Sequence, residues 1–328
     1  MLTKRQNLLE TIKGGNPDRF VNQYEYMELV MDPIFVAAGG NYVPGTEWKN
    51  GWGVTIQWPE GLPGAFPVHD EEHIVLKDVT QWKNIVKAPN VKFSDAEWAP
   101  FIEAANKIER NEQFVATFVA PGMFEKLHYL MGMEGALTSF YEEPEATLEL
   151  INYLADWEIA CAKEVCEHLH PDALFHHDDW GSQISSFLSP SMFEEFFVPA
   201  YKKIYGFYKE NGIELIVHHS DSYGANLVPY MIEIGIDIWQ GVLTTNNLPS
   251  LIKKYGEKIT FQGGIDNGKV DVEDWTPELI KKYTDPICQE CGKLYFIPNT
   301  TMGGAESVYT GVYEAVSEEI DKMSKKLF

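Results

Sequence analysis

Short apolar runs rich in β-branched and aromatic residues alternate along this chain with longer stretches whose apolar residues recur every three or four positions. The runs predict strands over 20–26, 114–120, 173–177, 215–219, 236–242, 259–263 and 294–298. Between them the spacing predicts helices over 145–168, 190–211, 226–234, 248–255, 277–291 and 307–326. An N-terminal helix precedes them all: Thr3 and Gln6 fit a capping box, Leu8, Leu9 and Ile12 form its apolar stripe, and Gly14-Gly15 ends it. Strict alternation of strand and helix implies a parallel sheet. Seven or eight such units in 328 residues fit a (β/α)8 TIM barrel. A doubly wound sheet is the alternative, but the chain has neither G-x-G-x-x-G nor G-x-x-x-x-G-K-[ST].

No linker divides the chain, so residues 1–328 read as a single domain in which 1–112 elaborate the barrel. Within that elaboration, 39–69 is rich in Gly, Pro and Trp, with Trp48, Trp52 and Trp58 among glycines. A loop of this length is a candidate lid or binding surface at the barrel mouth.

Charge narrows the partners. The chain has 49 acidic and 26 basic residues, a formal charge of −23, which repels nucleic-acid phosphates and anionic membranes. No run is long and apolar enough to span a bilayer, and Lys4, Arg5, Glu10 and Lys13 stand where a signal peptide would be apolar, so a cytoplasmic location is expected. Four cysteines make no disulfide framework, and Cys288-x-x-Cys291 lacks the second pair of a structural zinc site. Only Arg5, Arg19 and Arg110 supply guanidinium groups, which serves a polyanionic substrate poorly. The 18 Phe, 16 Tyr and 9 Trp residues offer apolar walls for an aromatic ligand, although most of them belong to a core.

In a parallel barrel the chemistry sits at the carboxyl ends of the strands. Ala173-Leu174-Phe175 runs into His176-His177-Asp178-Asp179, and Leu215-Ile216-Val217 into His218-His219-Ser220-Asp221. The next two strands run into Gln262-Gly263-Gly264 and into Asn299 through Gly304. Side chains alternate along a strand, so one histidine of each pair faces the barrel and the other the helix layer; the sequence leaves open which. Imidazole beside carboxylate suits proton transfer, and equally a divalent metal. The adjacent Asp178 and Asp179 could raise one another's pKa, although one of them capping a helix is the plainer reading. Gly303-Gly304 could offer backbone N–H groups to an anion, but a plain turn fits better.

Several segments resemble the uroporphyrinogen decarboxylase superfamily. They are Asp178-Asp179-Trp180-Gly181-Ser182-Gln183; Ser189-Pro190 through Phe193; Pro199 with Tyr201-Lys202-Lys203-Ile204; His219-Ser220-Asp221; and Pro229 through Glu233, Gly235 and Asp237. The superfamily's Asp-x-Trp-Gly-Val segment is echoed by Asn50-Gly51-Trp52-Gly53-Val54, with an amide for the carboxylate. The likeness covers about residues 5 to 325 and implies a (β/α)8 barrel.

It is closer to the cobalamin-dependent methyltransferases than to the decarboxylases, whose arginine-rich N-terminal motif is reduced here to Arg19. Where the zinc thiol-methyltransferases carry His-x-Cys, this chain reads His219-x-Asp221. The resemblance therefore implies the O-demethylating methyltransferases of anaerobes. These move a methyl group from an aryl methyl ether to the cobalt of a corrinoid (cobalamin) on a partner protein. His219 and Asp221 would polarise the ether oxygen, with zinc on that pair as an option, and His177 with Asp179 would act as acid or orienting partner. Tyr26, Trp52, Trp58, Asp178 and Gln262 are the candidate substrate-binding residues. Porphyrinogen decarboxylation, and methyl transfer from a thiol or another donor, are the alternatives, and the sequence leaves a homodimer open.

Overall fold

The structure, a computed structural model, describes residues 1–40, 42–62, 64–302 and 307–328. In chain order its strands are β1 (Met27–Val30), β2 (Glu47–Lys49), β3 (Thr55–Gln57), β4 (Phe66–Pro67), β5 (Phe114–Val119), β6 (Ala173–His177), β7 (Leu215–His219), β8 (Ile238–Val242), β9 (Thr260–Ile265) and β10 (Phe296–Thr300). β1 and β5 through β10 form one sheet of seven strands in the order β1-β5-β6-β7-β8-β9-β10, with every neighbouring pair parallel. β2, β3 and β4 form a small antiparallel sheet within 39–69.

The large sheet curls on itself. Met27 from one edge strand and Ile297 from the other pack into the same interior as Phe114, Phe175, Val217 and Ile238. Burying each of these side chains is worth about 1.5–3 kcal/mol. A second, larger core lies between the strands and the surrounding helices, which is why the strands read as nearly unbroken apolar runs.

Seven or eight strand–helix units were expected, and the large sheet holds seven strands among the described residues. The segment 20–26 is the discrepancy: it holds no strand, and Gln23 adopts a left-handed φ of 51°. Its polar groups instead bridge neighbouring strands, for the Gln23 carbonyl accepts from Gln262 Nε2 at 3.2 Å and its Oε1 from Thr300 Oγ1 at 3.4 Å. The remaining strands lie within two residues of their expected positions.

The N-terminal helix, Lys4–Ile12, starts with the expected capping box of Thr3 and Gln6. The stretch 190–211 breaks into Pro190–Phe196 and Val198–Glu210, consistent with Pro199 lacking the N–H a continuous helix needs. Gly303-Gly304 lie outside the described residues. No helix among the described residues is long and apolar enough to cross a membrane.

Candidate active site

The alternation of β6 and β7 resolves both histidine pairs. Ala173, Phe175, Leu215 and Val217 fill the barrel interior, so His177 and His219, in phase with them, also face inward. The two strands are in register at these residues, and the imidazoles stack with centroids 4.3 Å apart.

His176 and His218 face the helix layer, where each has a polar partner, although His176 Nδ1 has none among the described residues. His176 Nε2 lies 3.0 Å from Glu158 Oε2, and His218 Nδ1 lies 2.8 Å from the Tyr205 hydroxyl.

Each inward histidine is held by a residue that the sequence did not single out. His177 Nδ1 is 2.9 Å from Glu125 Oε2, in the first turn of the helix Met123–Glu142. His219 Nδ1 bonds Gln240 Oε1 on β8, and Gln240 Nε2 donates to the Met302 carbonyl at 3.0 Å. That last bond fixes the amide's orientation, which leaves Nδ1 of His219 as the donor and Nε2 bare. Gln240→Leu should free the ring to change tautomer and lower turnover at this site by about 10–100-fold. The imidazole 15N shifts of His219 would report the tautomer; an unchanged Nδ1–H signal and unchanged turnover would refute the role.

Asp179 completes the group. Its Oδ1 lies 3.9 Å from His219 Nε2 and accepts from the Asp221 N–H at 3.0 Å. His177, Asp179 and His219 each offer one ligand atom, all within 4.8 Å of one another, so the three could hold a divalent ion. The sequence reading paired His219 with Asp221 as possible ligands; the group whose ligand atoms lie within 4.8 Å of one another contains Asp179 and His177 beside His219, and not Asp221.

The electrostatics separate the two imidazoles. Burial by itself would depress His177, but the Glu125 carboxylate against Nδ1 outweighs it and lifts the ring to about 10. His219 is pushed down to about 4 by burial and by the charge on His177. The Asp221 carboxyl rises to about 7 through its enclosure by protein and its nearness to Asp179. The Glu125 contact thus favours the protonated form of His177, and burial the neutral form of His219.

Asp178, expected to bind substrate, is fully buried and works as a structural anchor. Its carboxylate accepts from the N–H groups of Phe124 at 3.0 Å and Glu125 at 2.8 Å, from Trp180 Nε1 at 3.0 Å, and from the Tyr201 hydroxyl. This pins the start of the helix that bears Glu125. Gly122 permits the approach, since a Cβ there would fall 2.3 Å from the Asp178 Cβ.

Tyr26 and Gln262 are also corrected: both are fully buried in the barrel, and the Tyr26 hydroxyl donates to Gln262 Oε1 at 2.6 Å. Their polar groups are consumed by each other and by Gln23.

A cleft of about 720 Å³ opens beside this group. His177 and Glu125 stand at its inner end, and Phe35, Tyr42, Trp52, Trp58, Phe118 and Trp157 supply aromatic walls. Trp52 packs edge-on against Trp157 at 5.0 Å, and Trp58 is pinned by its Nε1 on the Leu62 carbonyl at 3.0 Å. Asn50 Oδ1 accepts from the N–H groups of Trp52 and Val54, both at 3.0 Å, so the amide holds this turn without a carboxylate. All four cysteines are buried elsewhere, and burial raises their thiols, Cys166 to about 11 and Cys291 to about 12.

Comparison with known proteins bears on this site. No curated protein matches the sequence. Among solved structures the chain is similar to a methyltransferase from Methanosarcina mazei, at 11% identity and a TM-score of 0.66, with 98% of this chain and 99% of that one aligned. It is also similar, at 12% identity and a TM-score of 0.39, to a GH18 chitinase from Pseudoalteromonas aurantia, over 89% of this chain and 99% of that one. At these identities the first likeness speaks to fold alone. The family model of uroporphyrinogen decarboxylase (URO-D) matches residues 50–305, a span holding the cleft's tryptophans and every residue of the histidine–carboxylate group, and the chain belongs to that family.

Proposed function

We propose that the protein is a corrinoid-dependent methyltransferase that takes the methyl group of an aryl methyl ether. The observation that carries this reading is an imidazole, His177, held 2.9 Å from the Glu125 carboxylate and lining a cleft walled by aromatic rings. Transfer from an aryl ether has a poor leaving group, because the phenolate must be stabilised as the methyl group departs. With Nδ1 held by Glu125, His177 presents Nε2–H as the proton donor to that oxygen. The similarity in fold to the M. mazei methyltransferase is consistent with this chemistry.

Decarboxylation of a polycarboxylated porphyrinogen fits less well. Arg5, Arg19 and Arg110 are tied to Glu214, Asp18 and Asp172, and none of them lines the cleft. The cleft's volume suits a single-ring donor and not a corrin macrocycle, which leaves the corrinoid on a partner protein. Cobalt(I) on that partner supplies the nucleophile that accepts the methyl group.

A divalent ion, zinc foremost, fits the donor set. His177 and His219 each have their second ring nitrogen tied by Glu125 or Gln240, the arrangement that orients metal-bound imidazoles, and Asp179 adds the carboxylate. When bound it supplies a Lewis acid for the ether oxygen in place of the proton on His177.

The test is to incubate the protein with a cobalt(I) corrinoid protein and a panel of methoxylated aromatics, following the absorption of alkylated cobalt. Its absence across the panel would sink the proposal. Elemental analysis of protein purified without chelator addresses the metal: about one zinc per chain is expected, lost in Asp179→Ala and retained in Asp221→Ala, whereas retention in both variants would remove the His–Asp–His ligand set.

A further inference from the structure

Among the described residues three charged ones line the cleft, Glu125, Lys126 and His177, and each has a protein partner. Glu125 is bonded to His177. Lys126, almost wholly buried, donates through Nζ to Glu158 Oε1 at 2.6 Å and to the Pro121 carbonyl at 2.5 Å, with the Trp157 ring centroid 5.2 Å away. Glu158 in turn meets His176 at 3.0 Å, and although burial raises its pKa, Lys126 and His176 together hold it down to about 2.

Lys126 and Glu158 therefore form a buried ion pair at the cleft wall, with Lys126 on the lining. An ammonium has three protons, two of which are placed, and Lys126 also lines the cleft, where the third is available to a ligand. A neutral oxygen can accept that proton without disturbing the balance of charge. A carboxylate would bring a second negative charge beside Glu158 with no unpaired cation to meet it, and a buried charge without a partner is costly.

We infer that the cleft selects an uncharged aromatic ring bearing a neutral oxygen substituent, with Lys126 donating to that oxygen and Glu158 as the counter-charge that excludes carboxylated rings. This rests on the aryl ether reading for its ligand class, but binding can be read without turnover.

Trp52, Trp58 and Trp157 line the cleft and supply a fluorescence signal. Titrating the protein at neutral pH with guaiacol and with vanillate should show guaiacol binding at least about tenfold tighter. In Glu158→Gln the ammonium loses its counter-charge, so vanillate should bind about tenfold tighter than to the unaltered protein while guaiacol shifts by less than about threefold. Equal or tighter vanillate binding by the unaltered protein would overturn the inference, as would Glu158→Gln shifting both ligands by the same factor.

A Lys126→Met/Glu158→Gln double variant leaves neither ammonium nor carboxylate unpaired, keeps an acceptor for His176, and guards against misfolding. It should lose about tenfold for guaiacol and keep its affinity for anisole, which lacks the second oxygen. Unchanged guaiacol binding there would remove Lys126 as the donor. Methyl transfer from vanillate as fast as from guaiacol would overturn this selectivity alone, while failure of every transfer assay with the binding preference intact would overturn only the methyltransferase reading.

Discussion

Replacing His177 with glutamine should lower methyl transfer from an unactivated aryl methyl ether by about 10²–10⁴-fold, the usual contribution of a positioned general acid. The loss should shrink for ethers whose ring carries a strongly electron-withdrawing group, because a stable phenolate needs no proton as it leaves. The pH profile carries the same argument. Glu125 holds His177 at about 10, so its acid form persists through neutral pH and activity should fall as the pH rises through about 10. Without the Glu125 carboxylate the largest upward influence is gone, and burial, which lowers an imidazole pKa, is opposed only by the charges of Asp179 and Asp221. In Glu125→Gln the alkaline limb should therefore move down from about 10. A limb that stays in place, or equal losses for activated and unactivated ethers, would show that His177 does not deliver the proton.

The pattern that predicted the strands also carried most of this site. β6 and β7 were bounded to the residue because Ala173-Leu174-Phe175 and Leu215-Ile216-Val217 are buried on both faces and stop where the chain turns polar. Which histidine faced inward needed only the phase of the strand, and that became known once Phe175 and Val217 were seen in the interior.

Glu125 and Gln240 were out of reach for different reasons. Glu125 enters from a helix, at a position set by the turn through Pro121 and Gly122 and by the Asp178 anchor, none of which has a periodic signature. Gln240 is one polar residue within an apolar strand run, and only the register of β7 on β8, which pairs it with His219, gives it meaning. Tyr26 and Gln262 misled because polarity at a strand end signals a site only where the polar atoms are unspent, and sequence does not show partners. The turn at Gln23 hid for the same reason: its bonds to β9 and β10 are long-range.

The adjacent aspartates offer the sharpest separation of structure from chemistry. Asp178→Ala removes the acceptor of two backbone N–H groups, the Trp180 indole and the Tyr201 hydroxyl, all in a buried setting. Each buried donor left unpaired costs about 1–3 kcal/mol, so a loss of about 3–5 kcal/mol is expected after partial relaxation. Because the anchor also sets the start of the helix bearing Glu125, turnover should fall with it. Asp179→Ala should behave in the opposite way. Its carboxylate is partly exposed and holds one protein bond within 3.5 Å among the described residues, the Asp221 N–H, so the variant's stability should stay within about 1 kcal/mol of the unaltered protein. Its damage should appear instead in binding of a divalent ion by the histidine pair. Urea unfolding with metal-stripped protein reads the first quantity, and metal titration of the folded protein the second. If Asp178→Ala unfolded at the same urea concentration as Asp179→Ala, the buried carboxylate would not be the anchor; if Asp179→Ala bound metal as the unaltered protein does, the group of three would not be the ligand set.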